Sequence, residues 1–203
     1  RDGEGLHETQ ALLRRSRRRP RVAPGGLFRV RTRRYRGAPH SLRRARSVKV
    51  LIVAVGAVKG ALAPVVADYE RRASHHWKLS VEEVPAGTKS GSKDAQAVMS
   101  AEAERLLARV PAEVDVVALT RDGKSMDSRE LAGYLDEHAV RSSPGVAFVI
   151  GGAYGLDPRV IARSRRRLSL SKMTLPHEVA RLVLSEQLYR AGTILRGEPY
   201  HKG

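Results

Sequence analysis

Residues 48–195 read as short apolar runs alternating with helix-period segments, and this alternation limits the possible folds more than any other feature of the chain. VKVLIVAVG (48–56) is a continuous apolar run of strand length, the pattern of a strand covered on both faces. LAPVVADYERRASH (62–75) has helical spacing, with Pro64 in its first turn. KLSVEEVP (78–85) alternates apolar and polar residues, which predicts a more exposed or an edge strand. Helix 94–110 follows with Asp94 as its N-cap, then strand 114–120 and helix 127–140. The apolar strand 145–152 precedes a helix over 157–167, opened by an Asp-Pro pair. LSLSKMTLP (168–176) starts as a buried strand and turns into the last helix, 177–195. Strands alternating with helices predict an α/β fold with a mainly parallel sheet of about five strands and helices on both faces.

The net charge of +17 is not spread evenly. Residues 1–47 hold 15 Lys and Arg against 3 Asp and Glu, so the remaining 156 residues carry only +5. The Arg-rich head has no sustained apolar periodicity and buries too little surface to offset its ordering entropy. A basic arm that binds RNA phosphates, a transit peptide, and an extension outside the natural protein are the three readings of it. The third is preferred, with Val48 as the expected start, because the folding pattern begins abruptly there. The body, 48–203, is expected to be one domain.

The absence of Cys excludes disulfides, thiolate metal sites and Cys nucleophiles. No run approaches the roughly 18 residues of a membrane span, and a cytoplasmic location is expected. His75 and His76 are adjacent on a helix and point apart, so no metal site is expected.

VIGGAYGLDP (149–158) is a Gly-rich strand-to-helix turn. Its spacing matches neither the dinucleotide fingerprint nor the P-loop, and an ordinary tight turn explains it equally well. Gly151 nevertheless lies at the carboxyl end of a strand, as do Leu119-Thr120 and Ser171 to Leu175. Ligands of open α/β sheets bind outside the carboxyl ends of strands. With no Walker Lys, metal cluster or Ser-His-Asp pattern, the expected ligand is a cofactor held mainly by backbone atoms, such as an adenosyl group. His177 and Arg181 lie four apart on the last helix and share a face. They are either a first-turn His with a surface Arg, or a polar pair at the cleft rim. ARSRRR (162–167) reads as a solvated basic helix face or as a grip on RNA. The last helix is apolar over more than one stripe, which suits half core and half subunit interface. The tail RGEPYHKG (196–203) carries Tyr200 and His201, either frayed or able to stack on a nucleobase.

The segments VKVLIVAVG, YERR, VEEVPAG, FVIGGAYGL, LSLSKMTLPHEVARLVLSEQLYRA and RGEPYHKG resemble, in order, the SPOUT-superfamily methyltransferases that act on a pseudouridine of bacterial large-subunit ribosomal RNA. The resemblance runs over residues 48–203 and does not extend to the head. It implies a SPOUT-type α/β knot, with a C-terminal trefoil knot, in a small homodimer. It implies S-adenosyl-L-methionine as cofactor and transfer of its methyl group to N3 of the pseudouridine, with the assembled ribosome as the expected substrate. Carried over by motif, the cofactor contacts are Leu119, Gly151, Leu170, Ser171, Lys172, Met173, Thr174 and Leu175. His177, Arg181, Tyr200 and His201 are the candidates for holding the base and removing its N3 proton. A non-enzymatic RNA-binding protein working through the Arg-rich head is the competing function. A nucleotide hydrolase lacks its Lys and its acidic cluster.

Overall fold

A computed structural model describes residues 48–201. The readings made for residues 1–47, including the start at Val48, lie outside the described residues. Five strands, β1 (Lys49–Val55), β2 (Lys78–Val84), β3 (Asp115–Ser125), β4 (Val146–Ile150) and β5 (Arg166–Ser169), form one parallel sheet in the order β2-β1-β4-β3-β5. Four helices connect them, α1 (Leu62–Ser74), α2 (Ala95–Arg109), α3 (Ser128–Val140) and α4 (Pro158–Arg163), and a fifth, α5 (His177–Arg196), follows β5. A 3₁₀ turn, Pro199–His201, follows.

The apolar runs are two-faced, as their continuity requires. Val50, Ile52 and Ala54 of β1 point into a core shared with α1, α3 and α5. Val53 and Val55 point into a second core with α2 and α4. Trp77, in the turn between α1 and β2, donates from Nε1 to the Leu188 carbonyl at 2.8 Å and ties the end of α1 to α5. β2 is an edge strand, as its alternation predicts. The caps follow the sequence too. Asp94 accepts from the Ala97 N–H at 2.7 Å, Asp127 and Glu130 form a capping box, and Asp157 precedes Pro158 at the start of α4.

Two elements differ from expectation. Helix α4 ends at Arg163, and the Arg165 N–H already bonds the Val116 carbonyl, so ARSRRR spans the last residues of α4, a turn and the start of β5 rather than one basic helix face. β3 in turn runs past Thr120. Both Leu119 and Lys124 pair with Leu168, so residues 120–123 leave the ladder and arch across β5. The chain passes so close that a Cβ on Gly123 would fall 2.7 Å from the Leu168 carbonyl carbon. Only glycine fits against a backbone at that distance.

Candidate functional site

Because the sheet is parallel, every loop that follows a strand opens on its carboxyl edge. There the ends of β4, β3 and β5 are neighbours, which brings Leu119, Gly151 and residues 170–175 to one place. Leu119, Leu170 and Leu175 are half-buried against the α3/α5 core. Lys172, Met173 and Thr174 are exposed between them, Met173 to 74%.

Polar contacts join these loops. The Ser169 hydroxyl lies 3.1 Å from the Arg121 carbonyl and 2.9 Å from that of Ser171. The Met173 N–H donates to the Ser171 hydroxyl at 3.0 Å, and Arg121 donates to the Thr174 hydroxyl at 3.2 Å. The arch of β3 therefore shapes the 170–175 loop directly. Arg121 and Ser169 were not singled out from the sequence, since a polar stretch after a strand reads as an ordinary loop.

The Gly-rich turn folds back on itself. A Cβ on Gly151 would lie 2.6 Å from the Gly155 carbonyl oxygen. Behind the turn stands Glu102 of α2, 2% exposed, whose Oε1 accepts from the Gly87 N–H at 2.8 Å and whose Oε2 occupies the space a Gly152 side chain would take. Arg105 donates to the Pro85 and Gly87 carbonyls, and the Tyr154 hydroxyl donates to the Lys93 carbonyl at 3.2 Å. The loop after β2 is thereby fastened beside the Gly-rich turn. A buried Glu on an amphipathic helix is the signal that could have pointed to this arrangement.

The four remaining candidates separate. His177, the first residue of α5, packs its ring on Gly56 at the end of β1 and has Nε2 3.5 Å from Glu178. Arg181 is neither a surface residue nor a lining of the loops. It is 7% exposed and bonds Glu70 of α1, at 2.7 Å from Nε, and Glu83 of β2. Burial alone would lower its pKa, but the hydrogen bonds it donates to the two carboxylates carry it above its ordinary value. Tyr200 packs its ring on Tyr189 with centroids 4.6 Å apart, lies under the Arg190 guanidinium, and donates to Glu186 at 3.2 Å. Burial, then hydrogen bonding with Tyr69, pushes its hydroxyl pKa up. His201 ends the same 3₁₀ turn. Glu186 and Tyr189 follow His177 by 9 and 12 residues, so the tail sits roughly 14 to 18 Å along α5 from the helix start. Within one chain it does not meet the 170–175 loop.

Among the described residues no group of three or more acidic or His side chains is placed to hold a metal, and no helix is long and apolar enough to cross a membrane. A cavity of about 370 Å³ lies on the opposite, amino-terminal edge, between Val48, Lys78 and His138, away from the loops. The carboxyl edge instead carries open loops of half-buried leucines, exposed backbone and polar side chains.

The chain is similar in sequence to known proteins. A family model described as "Predicted SPOUT methyltransferase" matches residues 48–201. A protein of Gemmatimonas aurantiaca named ribosomal RNA large subunit methyltransferase H is 52% identical over 156 residues, covering 76% of this chain and 100% of the relative. Proteins of the same name from Syntrophotalea carbinolica and Listeria monocytogenes are each 42% identical, again over 76% of this chain and 99 to 100% of theirs. The match of the family model to the whole described body, with relatives 42 to 52% identical over nearly their full length, places the chain in the SPOUT methyltransferase family.

Proposed function

We propose that this enzyme transfers the methyl group of S-adenosyl-L-methionine to N3 of a pseudouridine in large-subunit ribosomal RNA, acting on the assembled ribosome in the cytoplasm. The observation that carries the reading is the junction of the β3 arch with the 170–175 loop, through Arg121–Thr174 and Ser169, beside Gly151. Leu119, Gly151 and residues 170–175 hold the cofactor there, the adenosyl group against the half-buried leucines and its polar edges on backbone groups. The bound cofactor supplies an electrophilic methyl group on sulfur. The crossing of residues 120–123 over β5 supports the trefoil knot that the family resemblance implies.

The acceptor side needs a group that takes or relays the N3 proton and groups that hold the base. Tyr200 and His201 serve this role in our reading, and their distance from the 170–175 loop of their own chain supports a homodimer. A second copy, packed on the apolar stripes of α5, brings its tail to the first copy's cofactor loops. His177 lines the same edge, whereas Arg181 acts as an ion-pair clamp, its donors being taken by Glu70 and Glu83. Residues 1–47 are an extension outside this catalytic domain.

The test is methyl incorporation from labelled S-adenosyl-L-methionine into ribosomes lacking the modification, mapped by nuclease digestion and mass spectrometry. One methyl on one large-subunit pseudouridine is expected. Replacing Tyr200 and His201 together by Ala should abolish turnover and leave cofactor binding intact. Unchanged turnover would remove the tail from the mechanism.

A further inference from the structure

The carboxyl edge carries a second pattern, in its charges. Most arginines of the body are engaged at home. Arg159 pairs with Asp157, Arg165 with Asp115, Arg167 with Asp122 and Arg190 with Glu186. The lysines of the carboxyl-edge loops are not. Lys59 follows β1, Lys89 and Lys93 follow β2, and Lys172 follows β5. All four are exposed, and none forms an ion pair or side-chain hydrogen bond among the described residues. The carboxylates on the same loops are committed: Asp94 caps α2, Asp122 pairs with Arg167, and Asp157 caps α4. The edge therefore presents unpaired positive charge after the neighbouring strands β2 and β1, and again after β5 at its far end, roughly 19 Å from β2 at about 4.8 Å per strand.

The loop between β2 and α2 is built to present its lysines. Gly87 and Gly91 take positive φ, at 73° and 71°, and turn the chain outward. Its root is held by Glu102 and Arg105 and its far end by Tyr154, so Lys89 and Lys93 project from a fastened base. Tyr154 itself, 48% exposed, offers a ring face after β4, the strand next to β1 on the way to β5. Lysine ammonium groups suit phosphate as point charges, and an exposed ring among them is the usual companion for unpaired bases.

We propose that Lys59, Lys89 and Lys93 form a phosphate-binding row that guides single-stranded RNA backbone across the carboxyl edge toward the cofactor loops. This rests on the proposed function, because the acceptor base must approach the same edge to meet the methyl donor. Each lysine neutralises one phosphate and releases its counterion, which makes substrate binding salt-dependent.

The experiment compares the full chain with the K59Q/K89Q/K93Q variant, and with K49Q/K78Q on the amino edge as control. The readouts are methyl transfer to unmodified ribosomes at several salt concentrations and calorimetric binding of S-adenosyl-L-methionine. The triple variant should raise the ribosome KM about tenfold and flatten the slope of log KM against log salt by about 0.7 for each lysine removed. Its kcat and cofactor Kd should match the wild type, and the control should leave KM unchanged. An unchanged KM and slope in the triple variant overturns the row. So does a photocrosslinker at position 89 that captures ribosomal protein in place of RNA. Failure of the wild type to methylate any ribosome would instead strike the proposed function, so the two ideas fail separately.

Discussion

The two ends of the sheet are built on different principles. From β2 to β1 the ladder is continuous over seven residue pairs, and its helices are locked across it by buried groups. Arg181 joins α5 to α1 and β2, and Trp77 joins α1 to α5. From β3 to β5 the ladder breaks between Leu119 and Lys124, and the loops there are joined by single hydrogen bonds between exposed or half-buried groups. The first region uses its polar residues to close the structure, and the second keeps them near solvent where a ligand can reach them. Binding loops come from the less stable parts of a fold for this reason.

That contrast can be broken by substitution. Arg181→Met should cost the most stability, about 3 kcal/mol, because it leaves Glu70 and Glu83 facing each other without their cation. The figure is at the low end for buried pairs because Glu83 is 40% exposed. A chemical denaturation midpoint that stays near wild type would show that the clamp is incidental. Gly123→Ala follows, at about 2 kcal/mol, since the added Cβ forces the arch away from β5. It should also weaken cofactor binding, which Arg181→Met should not do in the fraction that remains folded. Trp77→Phe removes one buried hydrogen bond and should cost about 1 kcal/mol in the same assay.

At the other end of the molecule the signs reverse. Arg121→Ala and Ser171→Ala should each change stability by no more than about 0.5 kcal/mol, as surface substitutions do. Each should nevertheless raise the Kd for the methyl donor about tenfold, a loss of roughly 1.4 kcal/mol measured by calorimetry. Equal losses of stability and binding would erase the distinction between the two regions.

The smallest effect concerns His138 of α3, on the amino edge. Burial pushes its pKa below the ordinary value, although Asp115, 3.4 Å from Nε2, acts in the other direction. A buried histidine with a lowered pKa binds fewer protons folded than unfolded. Its contribution is therefore complete above about pH 6.5 and is lost as pH falls toward the folded value. His138→Gln should flatten the fall in melting temperature on going from neutral to mildly acidic pH.

Much of the architecture was legible because it follows from local periodicity. The continuous runs at 48–56 and 145–152 had to be strands covered on both faces, and Asp94 and Asp157 marked the starts of α2 and α4. The convergence of Leu119, Gly151 and residues 170–175 was legible too, since in a parallel sheet every strand delivers its carboxyl end to the same edge. ARSRRR was misread, because Arg165 leaves the helical path only when it meets the Val116 carbonyl of a strand about 50 residues away.

What the sequence by itself determined is thus the alternation of elements, two of their caps and the edge on which Leu119, Gly151 and residues 170–175 converge, all set by neighbours a few residues apart. The tertiary structure decided the arch of residues 120–123 over β5, the burial of Arg181 between two carboxylates, and the separation of Tyr200 from the 170–175 loop. Each of these depends on a contact between segments distant in the chain. No residue type or spacing records such a contact until the backbone has closed around it.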